Sequence, residues 1–175
     1  MAHHVWIKLH LACGVKTNIV TSVVATEGNM NDSPVLPLLL AQTSRTFTMR
    51  DVSADKGYIS KANLAAIVGY GAHPYIPFKS NATGGAEKGT TLWKRMYHYY
   101  NFQRETFLAH YHKRSNVETT FHMIKSKFGD ALRSKTQVAQ FNEALCKVLC
   151  HNICVVIQSM HELGVSPDFG AAQAA

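Results

Sequence analysis

A chain of 175 residues with 46% hydrophobic and 17% charged side chains is long and apolar enough to bury a core, which excludes intrinsic disorder and asks for no more than one domain. Eighteen Lys and Arg against eleven Asp and Glu leave a net charge of +7, a field that favours polyanions such as nucleic acid. No apolar run approaches the ~20 residues of a membrane span and residues 1–4 form no secretory h-region, so a cytoplasmic protein with no membrane partner and reduced thiols is expected.

Residues 5–13 alternate. Val5, Ile7, Leu9 and Leu11 share one face and Trp6, Lys8 and His10 the other, which is the period of a strand. Turn residues at 14–18 lead into residues 19–26, rich in Val and Thr, so the two segments predict an antiparallel hairpin. Residues 28–32 break the second strand. Ser33 before Pro34 reads as a helix N-cap with proline at the first position, ahead of a helix over 35–42, and Asp32 is expected to cap the same helix.

A strand over 47–54 should run into Asp55-Lys56-Gly57-Tyr58, with Asp55 at its tip and Gly57 permitting a sharp turn. Residues 60–68 predict a helix closed by Gly69 and Gly71, and residues 74–78 a short strand. Residues 80–91 lack periodicity and read as a loop. Residues 92–110, aromatic and basic, pass into a further helix. Their aromatics are expected to form the core of an insertion over 80–110, with Lys94 and Arg95 left to contact DNA. The last helix is expected over 136–163, ended by Gly164 and Pro167.

On a helix of about 100° per residue, Arg114, Glu118 and Lys125 fall within roughly 60° of Tyr111. Val117, Phe121, Ile124 and Phe128 form a second stripe that should bury against a sheet. Glu118 at that border can bind a divalent cation, while Arg114 by a guanidinium fork and Lys125 as a point charge can contact phosphate oxygens. A solvated helix face with i,i+4 ion pairs would show the same spacing.

Cys146, Cys150, His151 and Cys154 include types that bind metal, but thiols at i, i+4 and i+8 of one helix cannot surround a tetrahedral ion. They are expected to be buried as small hydrophobes. His98, His110, His112 and His122 flank the motif and read as surface or packing residues.

The spacing Tyr111, Arg114, Glu118, Lys125 resembles the signature of bacterial insertion-sequence transposases with a DDE catalytic triad. Asp55 in Ala54-Asp55-Lys56-Gly57-Tyr58 resembles the motif of their second aspartate. Lys8-Leu9-His10 and Asn31-Asp32-Ser33-Pro34 are also similar to familial segments, so the resemblance spans nearly the whole chain. It implies an α/β, ribonuclease-H-like fold, a mixed sheet flanked by helices with a helical insertion and a carboxy-terminal helix. It implies too that Asp55 and Glu118 are catalytic carboxylates binding Mg²⁺ or Mn²⁺, and that Tyr111, Arg114 and Lys125 handle the DNA backbone.

In that family the first aspartate lies on a first strand ahead of the segment matching residues 6–10, and residues 1–5 contain no acid. The expectation is therefore a single, incomplete catalytic domain over 1–175, lacking the first strand and the first aspartate. Asp32, as a cap, and Asp51, about 13 Å from Asp55 along a strand, are not expected to replace it.

The function implied is DNA transposition by metal-dependent phosphoryl transfer on transposon ends and target, with weak or no activity from this chain alone. Its setting would be the cytoplasm, on the nucleoid, with room for a homodimer. The alternatives are a non-catalytic DNA-binding module, a nuclease of the same fold, and a structural or interaction protein.

Overall fold

The computed structural model describes residues 6–84, 90–164 and 166. The alternating segment becomes strand β1, Ile7–Cys13, paired antiparallel with β2, Val20–Glu27, with a register shift between Ala12 and Cys13. The two faces of β1 separate as the alternation requires. Leu9 and Leu11 enter an apolar cluster with Val20, Val23, Phe121, Ile124, Phe128 and Val148, whereas Lys8 and His10 turn to Asp32. That second face is covered at His10, which is only 2% exposed, and open at Trp6.

Ser33 and Asp32 do not cap the next helix. A 3-10 turn, Ser33–Val35, leads into α1, Leu36–Ser44, and neither start carries a side-chain cap bond. Stronger partners hold both residues: Asp32 is ion-paired with Lys8, and the Asn63 side-chain amide donates to the Ser33 carbonyl at 2.8 Å and to its hydroxyl at 3.1 Å. α1 lies against β2, where the Thr43 hydroxyl stands 3.0 Å from those of Thr21 and Ser22.

The strands that follow are shorter than the sequence predicts. β3 covers Asp51–Ser53 and pairs parallel with β4, His73–Tyr75. Between them lie a 3-10 turn, Lys56–Tyr58, and α2, Lys61–Gly69, whose N-cap Ser60 accepts the Asn63 N–H at 3.0 Å. Gly71, at a φ of 74°, ends the helix as expected. This β-α-β unit buries Ile67, Ala72 and Ile76 against Leu36 and Leu40. Among the described residues the fold is mixed α/β, with helices around two small sheets, β1-β2 and β3-β4.

Residues 92–128 do not form one helix. α3, Thr91–Phe102, stops at Gln103, whose φ of −120° and ψ of 48° are not helical; α4, Arg104–Tyr111, follows, then a 3-10 turn, His112–Arg114, and α5, Ser115–Phe128. The expected loop over 80–91 falls partly on residues outside those described. The aromatics form a core, but one shared with α2 and β4 rather than confined to residues 80–110: Trp93, Tyr97, Tyr99 and Tyr100 pack with Leu64, Tyr75, Phe78, Met96 and Phe107. Fully buried Phe107 meets the rings of Tyr75, Tyr99 and Tyr100 at 5.5, 5.7 and 5.0 Å. Phe102, 80% exposed, is the exception.

The last helix, α6, Gln137–Leu163, is capped by the Thr136 hydroxyl and closed by Gly164 at a φ of 63°. Pro167 lies outside the described residues. The Asn152 side chain accepts the Val20 N–H and donates to the Val20 carbonyl, both at 2.8 Å, and so fastens α6 to β2. Two expectations for this helix are corrected. Cys146 and Cys150 are exposed rather than buried, because they lie on the side of α6 away from Ala144, Val148, His151 and Val155, its buried residues. α6 is also long and apolar enough to cross a membrane by length and composition, with a mean hydropathy of 1.2; the polar residues interspersed along it hide that in a search for an unbroken apolar run.

Candidate active site

Of the four motif residues Tyr111, Arg114 and Glu118 are in contact, not on one continuous helix, and Lys125 lies apart from them. Tyr111 ends α4, Arg114 closes the 3-10 turn, and Glu118 and Lys125 occupy the first and last turns of α5. The 3-10 turn keeps residues three apart adjacent, so the contacts implied by the spacing survive the break. The Arg114 Nε donates to the Tyr111 hydroxyl at 2.9 Å, and its Nη2 lies 2.7 Å from Glu118 Oε1. The Arg114 guanidinium also stands over the Tyr111 ring, 5.6 Å from its centroid.

Burial alone would lower the Arg114 pKa. The Tyr111 hydroxyl and the charges of Glu118 and Asp55 outweigh it, and the net shift is upward. Asp55, from a distant part of the sequence, is the smallest of the causes that raise it. The buried stripe behind the motif is placed as expected for three of its residues, Phe121, Ile124 and Phe128, which pack on Leu9 and Leu11 of β1. Lys125 is exposed at the other end of α5, and no ion pair is seen for it among the described residues.

Asp55 sits just past β3, exposed, and accepts the Lys56 N–H at 2.7 Å, starting the 3-10 turn. Gly57 is not needed there for a left-handed φ, since its φ is not positive. Its reason is a close approach: a Cβ at this position would lie 3.0 Å from Asp32 Oδ2. Tyr58 then turns inward, where its hydroxyl shares a 2.9 Å hydrogen bond with His10 Nδ1. Burial, with the charges of Asp32 and Asp55, pushes the Tyr58 pKa up to about 12. His10 Nε2 in turn meets the Thr26 hydroxyl at 3.1 Å, and the Asn63 amide donates to the Tyr58 carbonyl at 2.7 Å.

This bracing of the Asp55 turn from β1, β2 and α2 is not foreseen by motif spacing. The only sequence signal for it is His10 on an alternating strand, opposite the apolar face.

The other acidic candidates have charged partners of their own, although Asp32 lies against the Asp55 turn. Asp32 is held by Lys8. Asp51 lies 3.2 Å from His110 Nδ1 and 3.8 Å from Lys113 Nζ. His110 also stacks on Tyr75, with ring centroids 4.4 Å apart, so it packs as the sequence implies. His98 stacks on Phe102 and His122 lies 3.4 Å from the Ser126 hydroxyl, while His112 is exposed beside Tyr111.

Arg95 is not brought to Glu118. It lines a separate cleft of about 680 Å³ with His73, His98, Tyr99 and Phe102. His73 opens β4 whereas Asp55 follows the end of the parallel β3, so this cleft lies at the opposite end of that sheet. Lys94, its neighbour on α3, is half-buried.

The donor chemistry of Asp55 and Glu118 suits a hard cation such as Mg²⁺, which takes carboxylate oxygens. No group of three potential metal-ligating side chains converges among the described residues. In this arrangement Arg114 supplies the positive charge that balances Glu118, and Asp55 contributes a second carboxylate to the same field.

No solved structure matches the chain. The family described as "Transposase DDE domain" matches it over residues 2–153, a span that contains Asp55, the Tyr111–Lys125 motif and both sheets. The chain belongs to the DDE-domain transposase family.

Proposed function

We propose that this chain contributes two of the three carboxylates of a transposase centre that cuts and joins DNA by metal-dependent phosphoryl transfer. Asp55 and Glu118 would hold a divalent cation, Mg²⁺ or Mn²⁺, whose chemistry when bound is to activate a water or a 3′-hydroxyl and to stabilise the leaving oxygen. Arg114, aligned by Tyr111, would grip a phosphate by its planar fork, and Lys125 would hold the strand as a point charge. In this reading the fold is ribonuclease-H-like, residues 80–110 are an insertion in a single domain, and Lys94 and Arg95 add DNA contacts away from the centre. The protein works on transposon ends and target in the cytoplasm, on the nucleoid, as a pair of copies.

One observation carries the proposal: Arg114 joins Tyr111 and Glu118 by direct contacts, and Asp55 adds, as the smallest cause, to the upward shift of the Arg114 pKa. Asp32 is paired with Lys8 and Asp51 with His110 and Lys113, and in this reading neither supplies the third carboxylate. Two carboxylates offset two divalent cations poorly, so metal binding is weak and strand cleavage by this chain alone is slight. The same engagement of Asp32 and Asp51 favours the second reading, a DNA-binding module without catalysis.

Purified protein incubated with terminal-repeat DNA and Mg²⁺ or Mn²⁺ separates the cases. Salt-sensitive binding with little nicking is expected. Efficient metal-dependent nicking, lost in Glu118→Gln, would show the centre to be complete, and absence of DNA binding would remove both readings.

A further inference from the structure

Along α6 the side opposite its buried face carries Leu145, Cys146, Leu149, Cys150, Ile153, Val156, Ile157, Met160 and Leu163. No charged residue lies among them, and Leu149, Ile153 and Leu163 are 60%, 50% and 73% exposed. Within the stripe, Cys146, Leu149, Ile153, Val156, Met160 and Leu163 are spaced three, four, three, four and three apart. That is the 3.5-residue period at which a helix keeps one seam turned to a partner helix over several turns.

We propose that this seam is the surface through which two copies of the chain associate, α6 against α6. A two-fold pair sets one patch against itself, so the patch must be self-complementary and free of like charges. This is the condition the stripe meets in a chain that otherwise carries a net charge of +7. The exposed parts of these side chains amount to on the order of 500 Å² per copy, most of the roughly 800 Å² per partner of a standard interface.

A bilayer is the poorer occupant. α6 keeps Ala144, Val148, His151 and Val155 buried and grips the Val20 backbone through Asn152, so it would have to leave the hairpin in order to span.

Sedimentation equilibrium on the wild-type chain at about 50 μM, well above a micromolar dissociation constant, should give twice the monomer mass. Leu149→Glu and Ile153→Glu should each give the monomer mass with unchanged circular dichroism, while Ser126→Glu on α5 leaves the dimer intact. A wild-type monomer at that concentration, or a dimer that persists in both seam variants, overturns the proposal. So does wild-type flotation with phosphatidylcholine–phosphatidylglycerol vesicles.

Should the seam variants unfold, alkylation of Cys146 in the wild type decides. Its rate should fall several-fold as protein concentration is raised tenfold through the micromolar range, and a concentration-independent rate contradicts the seam. None of these readouts depends on metal or DNA cleavage, so the result stands apart from the fate of the proposed centre.

Discussion

His10 and Tyr58, 48 residues apart, share a 2.9 Å hydrogen bond that ties the first strand to the turn carrying Asp55. His10 is 2% exposed, and burial lowers its pKa from 6.5 while Asp32 partly raises it and Lys8 lowers it. The folded state thus binds fewer protons at His10 than the unfolded chain does near pH 6, and stability rises with pH in that window. His10 stabilises the fold fully above 6.5, and its contribution is lost as pH falls through the lowered value. The melting-temperature difference between wild type and His10→Gln should be greatest near about pH 8 and shrink on acidification below the usual histidine range. A constant difference would contradict this.

Glu143 gives a parallel test in a more acidic window. Its carboxylate accepts the N–H groups of Ser134 at 2.8 Å and Arg133 at 3.0 Å, and these bonds, with Lys147 adding to them, hold its pKa at about 2, below the ordinary 4.5. Its contribution is present above the ordinary carboxylate value and lost as pH falls through about 2. Glu143→Gln should therefore lower the melting temperature at neutral pH and cease to matter near pH 2, as read by thermal unfolding in parallel buffers.

The aromatic core predicts a large effect at one position. Phe107 is fully buried between Tyr75, Tyr99 and Tyr100, and Phe107→Ala should cost about 3–5 kcal/mol in denaturant unfolding. Phe102→Ala, at an 80% exposed ring, should cost less than about 0.5 kcal/mol.

The hairpin, α2 and α6 are legible in the sequence because each is specified locally, by alternation, by the Ser60 cap and by the Thr136 cap with Gly164. Other features are not, because the partner that decides them is distant. Asp32 and Ser33 look like a cap in isolation, and only the arrival of Lys8 and Asn63 changes their use. The motif spacing at three and seven residues fits both a continuous helix and a helix broken by a 3-10 turn, since both keep i and i+3 adjacent. The exposure of Cys146 and Cys150 depends on which face of α6 meets the hairpin, a choice that Asn152 fixes through Val20.

Lys125, exposed at the end of α5, tests the DNA contact apart from the metal. Lys125→Ala should weaken DNA binding at low salt and flatten the slope of log affinity against log salt by about 0.9, one phosphate contact. An unchanged slope would take Lys125 off the DNA path.

Whether Asp55 and Glu118 share one cation site is read from Mn²⁺ binding followed by electron paramagnetic resonance. The expected result is weak binding, with an affinity that falls at least about tenfold in both Asp55→Asn and Glu118→Gln and is unchanged in Asp51→Asn. Wild-type binding that survives either of the first two substitutions would contradict a shared site.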